Sequence, residues 1–166
     1  MSMERDLWLR RCGFGDVHAH EARVTFDTAP TMVNTFTTAQ ALGLAQGGEH
    51  LVKALVYYDN RQPGHHQLVG MWSTLPLAPD IRARFEPFVR DAQLFRRDVP
   101  YPDKKGFRVH TEERTVEDWL RFIHDGVELT DFVEQVGAHV RDGAPAPPGW
   151  GIQNTLSCLV REEEVG

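Results

Sequence analysis

Several residue types are scarce in this chain of 166 residues. It has two cysteines, Cys12 and Cys158, too few for a disulfide framework in a domain of this size, so we expect reduced thiols. No apolar run approaches the length of about 18 residues that a membrane span requires. The N-terminus lacks the continuous apolar segment of a signal peptide. These absences predict a cytoplasmic protein that does not enter a membrane.

The motifs of several enzyme classes are missing as well. The chain contains no G-x-x-x-x-G-K-[ST], no G-x-G-x-x-G after a predicted strand, no G-x-S-x-G and no C-x-x-C. The sequence therefore argues against nucleotide-loop enzymes, α/β-hydrolases and zinc ribbons. It leaves any cofactor unknown.

Lysine is scarce too. Only three of the 18 basic residues are lysines, and this preference for arginine, with frequent Ala, Gly and Pro, is typical of GC-rich bacteria. The net charge of −6 argues against sequence-independent binding of nucleic acid. One basic region, residues 82–105, contains Arg82, Arg84, Arg90, Arg96, Arg97, Lys104 and Lys105. It is a candidate surface for nucleic acid or phosphate, although the solvated face of an amphipathic helix explains the same pattern.

What the chain does contain is a dense apolar stretch at residues 51–77, interrupted once by a polar turn with Pro and Gly. This pattern predicts a central β-hairpin with strands 51–58 and 66–74. Alternating apolar residues predict a half-buried strand at 21–27, and further strands are predicted at 107–111 and 152–160.

Helical spacing of apolar residues predicts helices between the strands. One is expected over 30–46, and another begins at Pro79 and should kink or break at Glu86 because Pro87 follows. Thr115 begins a capping-box pattern, and Gly126 is expected to end that helix. A further helix should run over 131–141, with Gly143 as its C-terminal cap.

These elements predict a single α+β domain over residues 1–166, with an antiparallel or mixed sheet of about five strands. The helices, about four in number, are expected mainly on one face of the sheet. Both faces of the predicted hairpin are apolar. The second face therefore needs a cover from another helix or from a partner subunit, and we expect a homo-oligomer.

His18 and His20 form the first candidate site. If residues 16–20 are extended, both imidazoles lie on one face roughly 7 Å apart, which suits one divalent metal ion. The alternative interpretation is a polar loop without a metal.

A second candidate site lies at the turn of the predicted hairpin. There Tyr57, Asp59 and His66 would form a cluster capable of general acid–base catalysis, since histidine titrates near neutral pH. His65 would point to the opposite face of its strand. A polar turn whose aromatic residues cover the end of the sheet explains the same residues.

No single motif decides the function. Small size, acidic charge and the absence of a recognisable catalytic set favour a non-enzymatic binding or interaction protein, of the accessory or immunity type, that binds a protein partner or a small molecule. The alternatives are a small, metal-dependent enzyme that uses the His/Tyr/Asp residues, and a nucleic-acid-binding protein that uses region 82–105. Whether the protein is an enzyme stays open on the sequence alone.

Overall fold

A computed structural model describes residues 2–29, 38–64, 67–98 and 115–151, and these ranges contain five α-helices. The helices are α1 (Met3–Thr28), α2 (Thr38–Tyr58), α3 (Leu68–Ser73), α4 (Pro79–Asp98) and α5 (Val116–Asp142). Within the described ranges the only β-type pairing is one isolated antiparallel bridge between Leu77 and Trp150. The predicted α+β fold with a five-strand sheet is therefore wrong, and the described part of the chain is helical.

The predicted central hairpin is replaced by α2 and α3. Residues 51–58 form the C-terminal half of α2, and residues 68–73 form α3. The prediction was wrong because a short apolar run that is buried on all sides has no periodicity, so it cannot be distinguished from a buried strand. The predicted strands 107–111 and 152–160 lie outside the described residues.

The predicted strand 21–27 lies inside α1. Its apolar residues fit a helix because Ala22 and Phe26, four positions apart, share the buried face, while Val24 is exposed. In a segment of only seven residues, the apolar positions expected for a half-buried strand and those expected for an amphipathic helix partly coincide. The buried residues along the whole of α1 resolve the ambiguity, since they recur every three or four positions (Trp8, Cys12, Gly15, Ala19, Ala22 and Phe26).

Two predicted helix breaks are absent. Helix α4 continues through Pro87, and α5 continues through Gly126, so the two helices predicted over 115–141 are one helix of 27 residues. The predicted ends of that helix are confirmed. Thr115 and Asp118 form a reciprocal capping box, and Gly143 ends the helix in the left-handed conformation with φ 71°.

Helix α2 lies at the centre and contacts α1, α3, α4 and α5. Five residues of α2 have no exposed surface at all: Ala45, Leu51, Val52, Ala54 and Leu55. The apolar residues 51–58, which were expected to need a cover from another helix or from a partner subunit, are therefore covered by the chain's own helices. None of the helices within the described residues is long and apolar enough to cross a membrane.

Candidate functional site

Helices α1 and α2 bring two histidines together. The Nδ1 atoms of His18 and His50 are 2.7 Å apart, and the ring centroids are 5.0 Å apart. In a neutral pair, one Nδ1 carries the proton and donates it to the lone pair of the other. Both imidazoles are half-buried, so they are partly shielded by protein and partly open to solvent.

One aromatic ring stacks on His18, and a second ring packs on the first. Tyr57, two turns beyond His50 on α2, stacks on the His18 ring with 5.6 Å between centroids. Phe14, one turn before His18 on α1, lies 5.5 Å from the Tyr57 ring. The Tyr57 hydroxyl accepts a hydrogen bond from Nε2 of Gln62 at 3.4 Å. The ring that orients His18 is therefore itself held by contacts from Phe14 and Gln62.

The surroundings favour the neutral form of both histidines. Burial lowers the pKa of His18 to about 4, with further lowering by His50 and Lys53 and partial opposition from Glu49 and Glu21. Burial also lowers the pKa of His50, again against the two carboxylates. At neutral pH the two side chains are therefore uncharged and keep nitrogen lone pairs available for a ligand.

A buried carboxylate lies beside the pair. Glu49 is 7% exposed, and its oxygens contact Nζ of Lys53 at 2.6 Å and Nε of Arg96 at 2.5 Å. The two cations that flank this carboxylate offset the cost of burying it. The Arg96 contact also ties α2 to α4 next to His50.

The structure does not bring His18 and His20 together. Residues two apart on a helix point about 200° away from each other, and His20 is exposed whereas His18 is half-buried. The shared face expected for an H-x-H pair requires a strand, and these residues lie in α1. His50 takes the place beside His18, and sequence reasoning missed it. A helical interpretation of 38–58 would have placed His50 and Tyr57 on one face, seven residues apart.

The residues predicted for acid–base chemistry have different surroundings. Tyr57 belongs to the His18–His50 cluster, as described above. Asp59 accepts a hydrogen bond from Nε of Arg61 at 2.6 Å, and Arg61 also donates to the Thr74 hydroxyl at 3.0 Å. Through Arg61, Asp59 thus takes part in a hydrogen-bonded contact between the end of α2 and the turn after α3. His66, like His65, lies outside the described residues.

A second polar cluster joins three helices. The hydroxyl of Tyr58 donates to Oδ1 of Asp16 at 2.7 Å, and Nη1 of Arg141 donates to the same oxygen at 2.5 Å. Burial, followed by the hydrogen bond to Asp16, raises the pKa of Tyr58 well above its ordinary value. Because Tyr58 of α2 and Arg141 of α5 both donate to Asp16 of α1, we interpret this contact as a structural link between the three helices.

A third group has the spacing of metal ligands but is already paired. His124, Asp125 and Glu128 offer ligand atoms within 4.8 Å of one another on α5. Arg84 donates to Asp125 at 3.1 Å and also to Glu128. Because a guanidinium already occupies both carboxylates, this group is a poorer cation site than the His18–His50 pair.

Arginines of the basic region are also paired within the fold. Arg82 donates to the backbone oxygens of Trp72 and Leu75 at 2.7 and 2.6 Å, and Arg90 pairs with Glu86 at 2.7 Å. Together with the contacts of Arg84 and Arg96, this pairing leaves less free positive charge for phosphate groups. Nucleic-acid binding through 82–105 stays a prediction with weaker support.

Comparisons with protein families, with curated proteins and with solved structures found no match to this chain. The function is therefore argued from the geometry and chemistry of the described residues.

Proposed function

We propose that this protein binds a divalent transition-metal ion between α1 and α2, with Nδ1 of His18 and Nδ1 of His50 as ligands. The observation that carries the proposal is the 2.7 Å separation of these two nitrogens, which come from different helices and point at each other. Neutral imidazole is a common protein ligand of zinc, copper and nickel.

The distance suits a shared ion after a small adjustment. Two nitrogens that bind one tetrahedral zinc ion are about 3.3 Å apart, since each Zn–N bond is about 2.0–2.1 Å long. The two helices or side chains would need to open by roughly half an ångström. The histidine that carries its proton on Nδ1 would carry it on Nε2 instead, so that both Nδ1 lone pairs face the ion. Tyr57 would keep the His18 ring in the same orientation during this change.

The protonation of the pair also suits a cation. Glu21 and Glu49 are the carboxylates whose fields reach both histidines, and Lys53 is the cation that does so. Because Arg96 also contacts Glu49, two cations accompany the two carboxylates and the neutral histidines add no charge. The lowered histidine pKa values mean that a metal ion would compete with few protons at neutral pH.

The sequence predicted a binding protein without identifying its ligand, and the present proposal names a metal ion as that ligand. Within the described ranges, no third His, Cys, Asp or Glu joins this pair in a compact ligand group. Two protein ligands would leave coordination positions for water or an external molecule, an arrangement that catalytic metal sites share. A metal-dependent enzyme therefore remains the alternative. We also propose a cytoplasmic location, which the low number of cysteines supports, since two are too few for a disulfide framework.

The test is a titration of metal-free protein with Zn²⁺, and with Co²⁺ as a visible reporter, by calorimetry and absorption. We expect one ion per chain and at least a tenfold loss of affinity in His18→Ala and in His50→Ala. His20→Ala is the matched control, because His20 is an exposed histidine on the same helix. It should bind the ion as the unmodified protein does.

Two outcomes would contradict the proposal. One is an absence of stoichiometric binding in the unmodified protein. The other is a loss of affinity in His20→Ala without a loss in His50→Ala, which would instead support the H-x-H pair. A parallel His66→Ala variant tests the histidine that was predicted from sequence but lies outside the described residues.

A further inference from the structure

The outer face of α1 carries an unusual amount of apolar surface. Six large apolar side chains on this helix are between 45% and 88% exposed: Met3, Leu7, Leu9, Phe14, Val17 and Val24. All of them except Leu9 belong to one row along the helix, and Phe14 in that row also packs on Tyr57 of α2. The buried residues of α1 take the opposite side of the helix and pack on α2 and α5. An isolated exposed apolar residue is ordinary, but a row along one helix marks an interaction surface.

The spacing of this row is that of a coiled-coil seam. The exposed apolar residues of this row, together with Arg10 and Glu21, recur at alternating intervals of four and three residues. We call this set the outer seam: Met3, Leu7, Arg10, Phe14, Val17, Glu21 and Val24. A heptad repeat keeps one face of a helix turned toward a partner helix over several turns. Helix α1 has 26 residues and is about 39 Å long, so the seam is long enough for such a contact.

We propose that the outer seam pairs with the outer seam of a second copy of this chain, in antiparallel orientation around a two-fold axis. With the axis between Gly15 and Asp16, each seam position from Leu7 to Val24 faces a different seam position of the other copy, and Met3 lies beyond these paired layers. The central layers then place Phe14 against Val17 of the second copy, and the outermost layers place Leu7 against Val24. These are apolar contacts in every case.

The charged positions select this orientation. In the same antiparallel register, Arg10 faces Glu21 of the second copy, and the symmetry repeats this pair on the other side of the axis. A parallel pair would instead place Arg10 against Arg10 and Glu21 against Glu21, which repel each other. Neither side chain makes an ion pair with any residue in the part of the chain that the structure describes.

Self-complementarity is the reason to choose a second copy over another protein. An isologous interface needs a surface that matches itself after a two-fold rotation. The outer seam matches itself both in its apolar layers and in its charged layers. Binding to a different protein would not require the seam to complement itself, so this match favours a second copy. Gly13 borders the seam, and the space where its side chain would stand is open, which leaves room for the approach of a helix.

Charge reversal tests the pairing. Sedimentation velocity should show a monomer–dimer equilibrium in the unmodified protein between about 1 and 300 µM. Arg10→Glu and Glu21→Arg should each weaken association at least tenfold, because each creates like charges in both charged layers. The double variant should restore it to within about threefold. Arg121→Glu, at an exposed arginine of α5, is the control for net charge and should change nothing.

Cross-linking tests the orientation. A variant with both Leu7→Cys and Val24→Cys should form disulfide-linked dimers on mild oxidation, whereas either single variant should not. The unmodified protein sets the background from Cys12 and Cys158. A monomer at every concentration would overturn the proposal, and would mean that the seam is covered by another part of the chain or by a different protein. Failure of the double charge variant to recover, or cross-linking of Leu7→Cys alone, would also overturn it.

Discussion

Replacing Gly126 by alanine should destabilise the fold, because the added methyl group would overlap the ring of Phe26. The new Cβ would lie 2.5 Å from Cδ1 and 2.7 Å from Cζ of that ring, well inside normal contact distance. The ring is completely buried and is held by Phe88 and Phe122, whose ring centroids are 5.8 and 6.4 Å away. It therefore has no open space into which it can move.

The expected magnitude follows from two opposing effects. Overpacking of a well-filled core costs about 1–3 kcal/mol, and an overlap with several atoms of a held ring belongs at the upper end. Alanine in place of glycine inside a helix contributes about 1 kcal/mol in the other direction. We expect Gly126→Ala to lower the free energy of unfolding by about 2 kcal/mol. The melting temperature should fall by about 4–8 °C.

Gly43 provides a matched control with the opposite sign. It lies inside α2, and a Cβ added there would meet no atom within 4 Å. Gly43→Ala should therefore raise the free energy of unfolding by about 1 kcal/mol. Urea unfolding followed by circular dichroism measures both variants. If Gly126→Ala is as stable as the unmodified protein, or if both variants shift in the same direction, the packing argument is wrong.

Two further predictions concern polar contacts. Tyr58→Phe removes the hydroxyl that donates to Asp16 and should lower the free energy of unfolding by about 1.5–3 kcal/mol, measured by urea unfolding. A double-mutant cycle with Asp16→Ala, which removes the acceptor, should show coupling, and simple additivity would refute the contact. In metal-free protein, His18 has a pKa of about 4 in the folded state and 6.5 in the unfolded state. Between these two values the unfolded state binds more protons than the folded state. Stability should therefore fall as the pH drops through this window. The fall should be smaller in His18→Gln, and equal pH dependence of the two proteins would contradict the assignment.

Helix ends were predictable because their determinants are local. The capping box of Thr115 and Asp118 and the left-handed Gly143 depend on a few neighbouring residues, and both were expected from the sequence. Breaks inside helices were predicted from the same local rules and were wrong. Gly126 lies within a helix because its missing side chain makes room for Phe26, which is far away in sequence.

Part of the candidate site was also within reach of sequence reasoning. His18 and Tyr57 were singled out, and the structure places their rings in contact. Their true neighbour His50 was missed because residues 51–58 resemble a strand when they are considered without their surroundings. Once α2 is known to be a helix, the side chains of His50 and Tyr57 fall on one face.

The sequence by itself determined the ends of α5 and the acidic net charge, since the first depends on a few neighbouring residues and the second on composition alone. Only the tertiary structure decided that the most apolar stretch is a central helix rather than a hairpin. It also decided that His18 meets His50 rather than His20, and that the chain's own helices cover α2. The physical reason is that a segment buried on every side has no polar face, so its sequence shows neither strand nor helix periodicity. The helices that pack around such a segment then decide its conformation.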